Sequence, residues 1–135
     1  MYLDANVFVY ALEGEPALRA LALSVLDAVD TGEVVACTGE ITLAEVLVAP
    51  YRQGNAGLAA AYETLLGPRS PVDVFPTTAQ TWRDAARLRS QTALRLPDAV
   101  HLATALQAGA DVFLTHDHRL VRVETDRISV HLFAP

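Results

Sequence analysis

The sequence predicts an α/β fold, a parallel β-sheet sandwiched by α-helices in three layers (α/β/α). Three observations predict it. Short apolar runs alternate with longer helical segments along most of the 135 residues. The strand-like runs are continuously apolar rather than alternating, the pattern of strands buried on both faces. A content of 52% hydrophobic against 19% charged residues describes a chain with a core to fill. The length suits one core, so residues 1–135 are expected to form a single domain.

The elements follow in order. "MYLD" is a very short buried strand, and "NVFVYALEG" continues with mixed apolar spacing to a glycine stop. "EPALRALALSVLDAVDTG" carries leucine, alanine and valine on a broad helical face, with proline near its start and glycine at its end. "EVVACT" reads as a buried strand. "ITLAEVLVAPYRQG" begins as a helix that Pro50 is expected to bend or end. "NAGLAAAYETLLG" is a further helix, "PVDVF" a short strand and "TTAQTWRDAARLRSQTA" a helix with polar and apolar faces. In "PDAVHLATALQAGA" the proline suits the first helical turn and Gly109 closes the helix. "DVFLT" and "RISVHLF" are the last strands.

Composition narrows the function. The net charge is −6, which argues against a protein that coats nucleic acid through its backbone. It leaves room for a nucleic-acid enzyme whose clustered acids are neutralised by metal. All ten basic side chains are arginines, so no mechanism that needs a catalytic lysine applies. The single cysteine, Cys37, excludes an internal disulfide and reads as a small core residue. No apolar run approaches membrane-spanning length, and the start has neither a basic leader nor a small-residue cleavage site. A cytoplasmic protein is expected.

In an open α/β sheet, ligands bind outside the carboxyl ends of the strands. Four acids map near that edge: Asp4 ends the first strand, Glu45 lies early in the helix after "VVACT", Asp98 opens a helix, and Asp117 follows "FLT". Each also has a purely structural account. Asp4 could cap the following helix, and Asp117 the turn after its strand. "TLAE" matches a capping box, Thr42 bonding the helix N–H and Glu45 reaching back. Glu40 competes with Glu45 for any functional role. Asp98 suits a helix start, where its charge faces the positive end of the dipole.

The histidines weigh less. His101 falls about one turn after Asp98 and shares its side of the helix, as a packing or hydrogen-bonding residue before a metal ligand. His116 and His118 flank Asp117, but that spacing without a cysteine pair is weak support for zinc. "DANVF" places Asn6 where phosphoaspartyl phosphatases have a second aspartate, and the chain has no lysine, so that reading fails. A carboxylate cluster remains. Crowded acids repel and take up protons, and neutralising one, Asp98 for instance, is expected to relieve them. Hard divalent cations such as magnesium or manganese also relieve them, and suit phosphodiester hydrolysis.

"YLDANVFVY", "TLAEVL", "LPDAVHLATAL" and "DVFLTHDHRL", in this order and spacing, make the chain resemble a PIN-domain ribonuclease of the VapC toxin type over nearly its whole length. The resemblance implies a metal-dependent endoribonuclease using Mg2+ or Mn2+, the toxin of a toxin–antitoxin pair. Its catalytic acids carry over as Asp4, Glu45, Asp98 and Asp117, with Asp4, Asp98 and Asp117 on the metal and Glu45 completing the shell, directly or through water. Asn6 and Thr115 match polar positions beside them. "THDH" departs from the family, where an asparagine often precedes the aspartate, so His116 leaves the fine geometry open. The resemblance further implies an RNA substrate, a small antitoxin partner and a homodimer. Arg52, Arg69 and Arg119 are candidates for RNA phosphates. A non-catalytic interaction module of the same fold and a structure-specific DNA nuclease are the alternatives.

Overall fold

A computed structural model describes residues 1–123 and 125–135. Its strands are β1 (Tyr2–Leu3), β2 (Cys37–Gly39), β3 (Asp73–Phe75), β4 (Val112–Thr115) and β5 (Ser129–Leu132). They form one sheet in the order β3-β2-β1-β4-β5, and every neighbouring pair is parallel. The helices are α1 (Ala5–Glu13), α2 (Pro16–Asp30), α3 (Ile41–Gln53), α4 (Ala56–Leu65), α5 (Ala79–Gln91) and α6 (Leu96–Gln107), with a 3-10 turn at Leu120–Arg122. The three-layer α/β/α expectation is met. Among the described residues no helix is long and apolar enough to cross a membrane.

The sheet divides two cores. Leu3, Phe8, Ala22, Val46, Tyr62 and Phe133 fill the space under α1 to α4. Tyr2, Ala85, Val100, Leu102, Phe113 and Leu120 fill the space under α5 and α6. Successive strand side chains point to opposite faces, which is why Tyr2 and Leu3 serve different cores. The chain winds outward from β1 to β3, then crosses back so that β4 takes β1's free side. That reversal puts the topological switch point between β1 and β4, at whose carboxyl edge a crevice is expected.

Three local expectations are corrected. The run "EVVAC" is not all strand: pairing begins at Cys37, and Val35 is 79% exposed. Apolar composition alone could not show that Val34 still bonds back to Ala28 at the end of the preceding helix. Cys37 itself is buried, and burial pushes its thiol pKa up, as suits an inert core residue. The helix does not stop at Pro50, since α3 runs on to Gln53. Pro50 lies in the last turn, where its missing N–H costs one bond, and its carbonyl still accepts from Gly54 and Asn55. Gly54 then closes α3 with φ 64°, a left-handed conformation suited to glycine. Finally, Thr42 and Glu45 form no capping box. Thr42 is fully buried with its hydroxyl 2.7 Å from that of Thr38, and Glu45 turns elsewhere.

Candidate active site

Asp4 leaves β1 at the switch point and N-caps α1, its Oδ1 accepting from the Ala5 N–H at 2.8 Å. Its other oxygen accepts from the Thr115 hydroxyl, at the end of β4, at 2.5 Å. Thr115 Oγ1 in turn accepts from the Asp117 N–H at 3.0 Å, so one hydroxyl ties the two aspartates together. Asn6 reaches Asp4 only at 3.5 Å. Asp4 is 6% exposed. Burial raises its pKa above the ordinary value and the charge of Glu45 adds to this; His101, Thr115 and the Ala5 N–H oppose the shift without cancelling it.

His101 faces Asp4 from α6. Its Nε2 lies 2.8 Å from Glu45 Oε2 and 3.8 Å from Asp4 Oδ1. A carboxylate only accepts, so Nε2 carries the proton and donates to Glu45. On the other side of the ring, Nδ1 is 2.7 Å from the Tyr2 hydroxyl. Burial by itself would lower the imidazole pKa. The hydrogen bond with Glu45 and the charges of Asp4, Glu45 and Asp98 outweigh it, and the net shift is upward. One ligand atom each from Asp4, Glu45 and His101 fall within 4.8 Å of one another.

Asp98 and Asp117 form the neighbouring half of the rim, and an arginine joins them. Arg119 pairs closely with Asp117 and lies 3.9 Å from Asp98 Oδ2, while Arg95 lies 3.6 Å from the same oxygen. The Arg119 hydrogen bond holds the Asp117 carboxyl below its usual range.

The family model for the PIN domain matches residues 1–125. The chain belongs to the PIN domain family. This PIN domain is similar in structure to a chain of a toxin-antitoxin complex from Klebsiella pneumoniae, with TM-score 0.73 and 19% identity over 98% of this chain and 97% of that one. It is also similar to a chain of VapBC2 from Rickettsia felis bound to a DNA fragment from its promoter, with TM-score 0.69 and 16% identity over 97% and 96%. At such identities the likeness is one of fold. A comparison with curated proteins found no match.

The PIN domain brings all four sequence-predicted acids to one rim, but in two sets. Asp4 and Glu45 meet at His101, whereas Asp98 and Asp117 meet at Arg119. Glu40 is engaged elsewhere: its carboxylate accepts from the Thr77 N–H at 2.9 Å. His116 Nδ1 donates to the Phe133 carbonyl at 2.6 Å, with its ring against the edge of Tyr10, so it braces the end of β5. His118 packs near the His116 ring. Arg52 and Arg69 are exposed. Arg119, a candidate for RNA phosphates, turns onto the acids instead. Sequence reasoning passed over Tyr2 altogether; the available signal was its place two residues before Asp4, on the same side of the strand.

Proposed function

We propose that this PIN domain is a metal-dependent endoribonuclease, the toxin of a toxin–antitoxin pair. The carrying observation is the convergence of the Asp4 and Glu45 carboxylates at the switch point, with His101 bonded to Glu45 between them and Asp98 and Asp117 beside them. The family match supports it, as does the similarity to chains of two toxin–antitoxin complexes.

The residues fit a divalent cation. Asp4 is a buried carboxylate with its pKa raised, so an anion there lacks full compensation, and the donors around it are mainly hard oxygens that suit Mg2+ or Mn2+. Asp4, Asp98 and Asp117 would hold the ion, with Glu45 completing the set directly or through water. Such an ion supplies charge to phosphoryl oxygens and makes water nucleophilic near neutral pH. The chain's own groups do the orienting. The Ala5 N–H and Thr115 hydroxyl fix both oxygens of Asp4. Arg119 balances Asp98 and Asp117. A groove of about 580 Å³ lined by Leu94, Asp98, Arg119 and Arg122 runs from this edge and offers the Arg122 guanidinium to a phosphate backbone.

Purified protein should cut RNA with magnesium or manganese, lose all cleavage in chelator, and leave 5′-phosphate and 3′-hydroxyl ends. Asp98→Asn should abolish cleavage with an unchanged circular dichroism spectrum. Cyclic 2′,3′-phosphate ends, or full activity in the folded variant, would refute the reading. The same reading carries a homodimer, which sedimentation of the purified chain tests; a monomer at micromolar concentration removes it.

A further inference from the structure

We infer that Tyr2 and His101 form a positioning relay for Glu45: the phenol sets the imidazole, the imidazole sets the carboxylate, and two buried residues thereby govern how well the rim holds its cation. The inference rests on the metal-dependent reading above. Among the described residues, the Glu45 carboxylate has one hydrogen-bond partner, His101 Nε2 at 2.8 Å. Glu45 is an exposed residue on α3 with a flexible side chain, so its carboxylate has little else to hold it over Asp4. His101 is 2% exposed and carries its own constraint, the Tyr2 hydroxyl at 2.7 Å from Nδ1.

Tyr2 is the fixed end. It is 0% exposed, and its ring stacks on Phe113 of β4 at 4.9 Å between centroids. Gly39 of β2 closes the remaining side: a Cβ built there would stand 3.0 Å from the Tyr2 hydroxyl and 3.3 Å from Thr104 Cγ2. The relay is thus wedged between the strands flanking β1, while its free end reaches a carboxylate on a helix. Groups that orient metal-binding side chains from behind contribute about 10–100-fold to metal affinity. A buried histidine that merely satisfied the core would contribute nothing to it.

Manganese binding is measured by calorimetry on wild type, His101→Leu, His101→Gln, Tyr2→Phe and the Tyr2→Phe/His101→Leu double variant. All are kept well below their melting temperatures and checked by circular dichroism. His101→Leu should weaken manganese binding by about 10–100-fold. His101→Gln, which keeps an N–H for Glu45, should lose less. Tyr2→Phe should weaken binding in the same direction. The double variant should be no weaker than His101→Leu, because Tyr2 acts through His101. Excess manganese should restore RNA cleavage with KM unchanged. Wild-type affinity in a folded His101→Leu variant overturns the relay, as do losses that add in the double variant. Should His101→Leu fail to fold, Tyr2→Phe decides, and unchanged affinity there overturns the relay. Nitrogen coupling from His101 in the manganese paramagnetic resonance spectrum also overturns it, by making His101 a ligand. A wild type that binds no manganese overturns the metal-centre reading and the relay together. A wild type that binds manganese as described but cuts no RNA overturns the nuclease reading alone.

Discussion

Asp4→Asn should raise the melting temperature of the metal-free protein near neutral pH. The variant keeps the shape of the side chain and one carbonyl-type oxygen for the Ala5 N–H, which now bonds at 2.8 Å. Its amide can donate to the Thr115 hydroxyl, which still accepts from Asp117. Two things are lost: the extra strength of a charge-assisted bond, about 1 kcal/mol, and a negative charge at the start of α1, about 0.3–1 kcal/mol. Against them stands relief from burying an anion, a penalty of several kcal/mol per ion in real proteins. The raised pKa of Asp4 points the same way, because burial together with the charge of Glu45 outweighs the combined help of His101, Thr115 and Ala5. A net gain of about 1 kcal/mol corresponds to roughly 3–5 °C in a domain of this size. The pH dependence follows from linkage. A carboxyl whose folded pKa is raised favours the fold most below its unfolded pKa of about 4, and that contribution is lost as pH rises through the folded pKa. The advantage of the variant should therefore grow from acid to neutral pH. Manganese should stabilise wild type more than the variant, since only binding to the folded state shifts the balance. Scanning calorimetry in chelator and then in manganese, across pH 4 to 8, tests this. A variant that melts lower than wild type at neutral pH in chelator would refute the reasoning. Asp98 is the wrong place for the same relief, because Arg95 and Arg119 already stand beside its carboxylate.

Other perturbations have equally definite outcomes. Gly39→Ala should destabilise by about 1–3 kcal/mol, since its methyl must displace the Tyr2 hydroxyl; a melting temperature equal to wild type would show that the wall yields. Arg119→Ala should flatten the acid side of the stability profile. Asp117, held below its usual pKa by Arg119, contributes stability that is present above about pH 4 and lost as pH falls; an unchanged acid limb in urea titrations would contradict the pairing. An antitoxin that inhibits at the rim should bring a basic side chain to Asp4 and Glu45, because Arg119 already serves the other two acids. Co-purification with a tight partner that leaves cleavage undiminished would place that contact elsewhere.

The layered fold was legible because parallel strands buried on both faces leave unbroken apolar runs, and every such run here became a strand or abutted one. The convergence of four acids was legible through topology: Asp4 and Asp117 follow strands, and Asp98 and Glu45 lie early in helices at one edge of the sheet. Their partners were not. Asp98 and His101 share a helix side by spacing, but nothing local says that the histidine reaches across to Glu45 on α3. "TLAE" has the residues of a capping box, yet Thr42 is drawn into the core by Thr38 and leaves Glu45 free for the rim. Arg119 read as a candidate for RNA phosphates because its pairing depends on two carboxylates that meet only when α6 and β4 are in place. Pro50 is a strong breaker by propensity and a mild one in a last turn that a left-handed glycine closes anyway.

The central position of β1 sets a timetable. The strand made first pairs with β2 on one side, but its other neighbour, β4, comes from the far end of the sequence, and Thr115 reaches Asp4 across 111 positions. Contacts of such separation form late, since the intervening chain must be ordered before the contact is rewarded. A nascent chain still lacking α6 and β4 carries Asp4 and Glu45 without His101, Thr115, Asp98 or Asp117. Its rim is incomplete, however well the first half has folded. Synthesis of this protein therefore includes an interval in which Asp4 and Glu45 stand without the other groups of the rim, and the interval ends only when the residues around Asp117 have left the ribosome and docked.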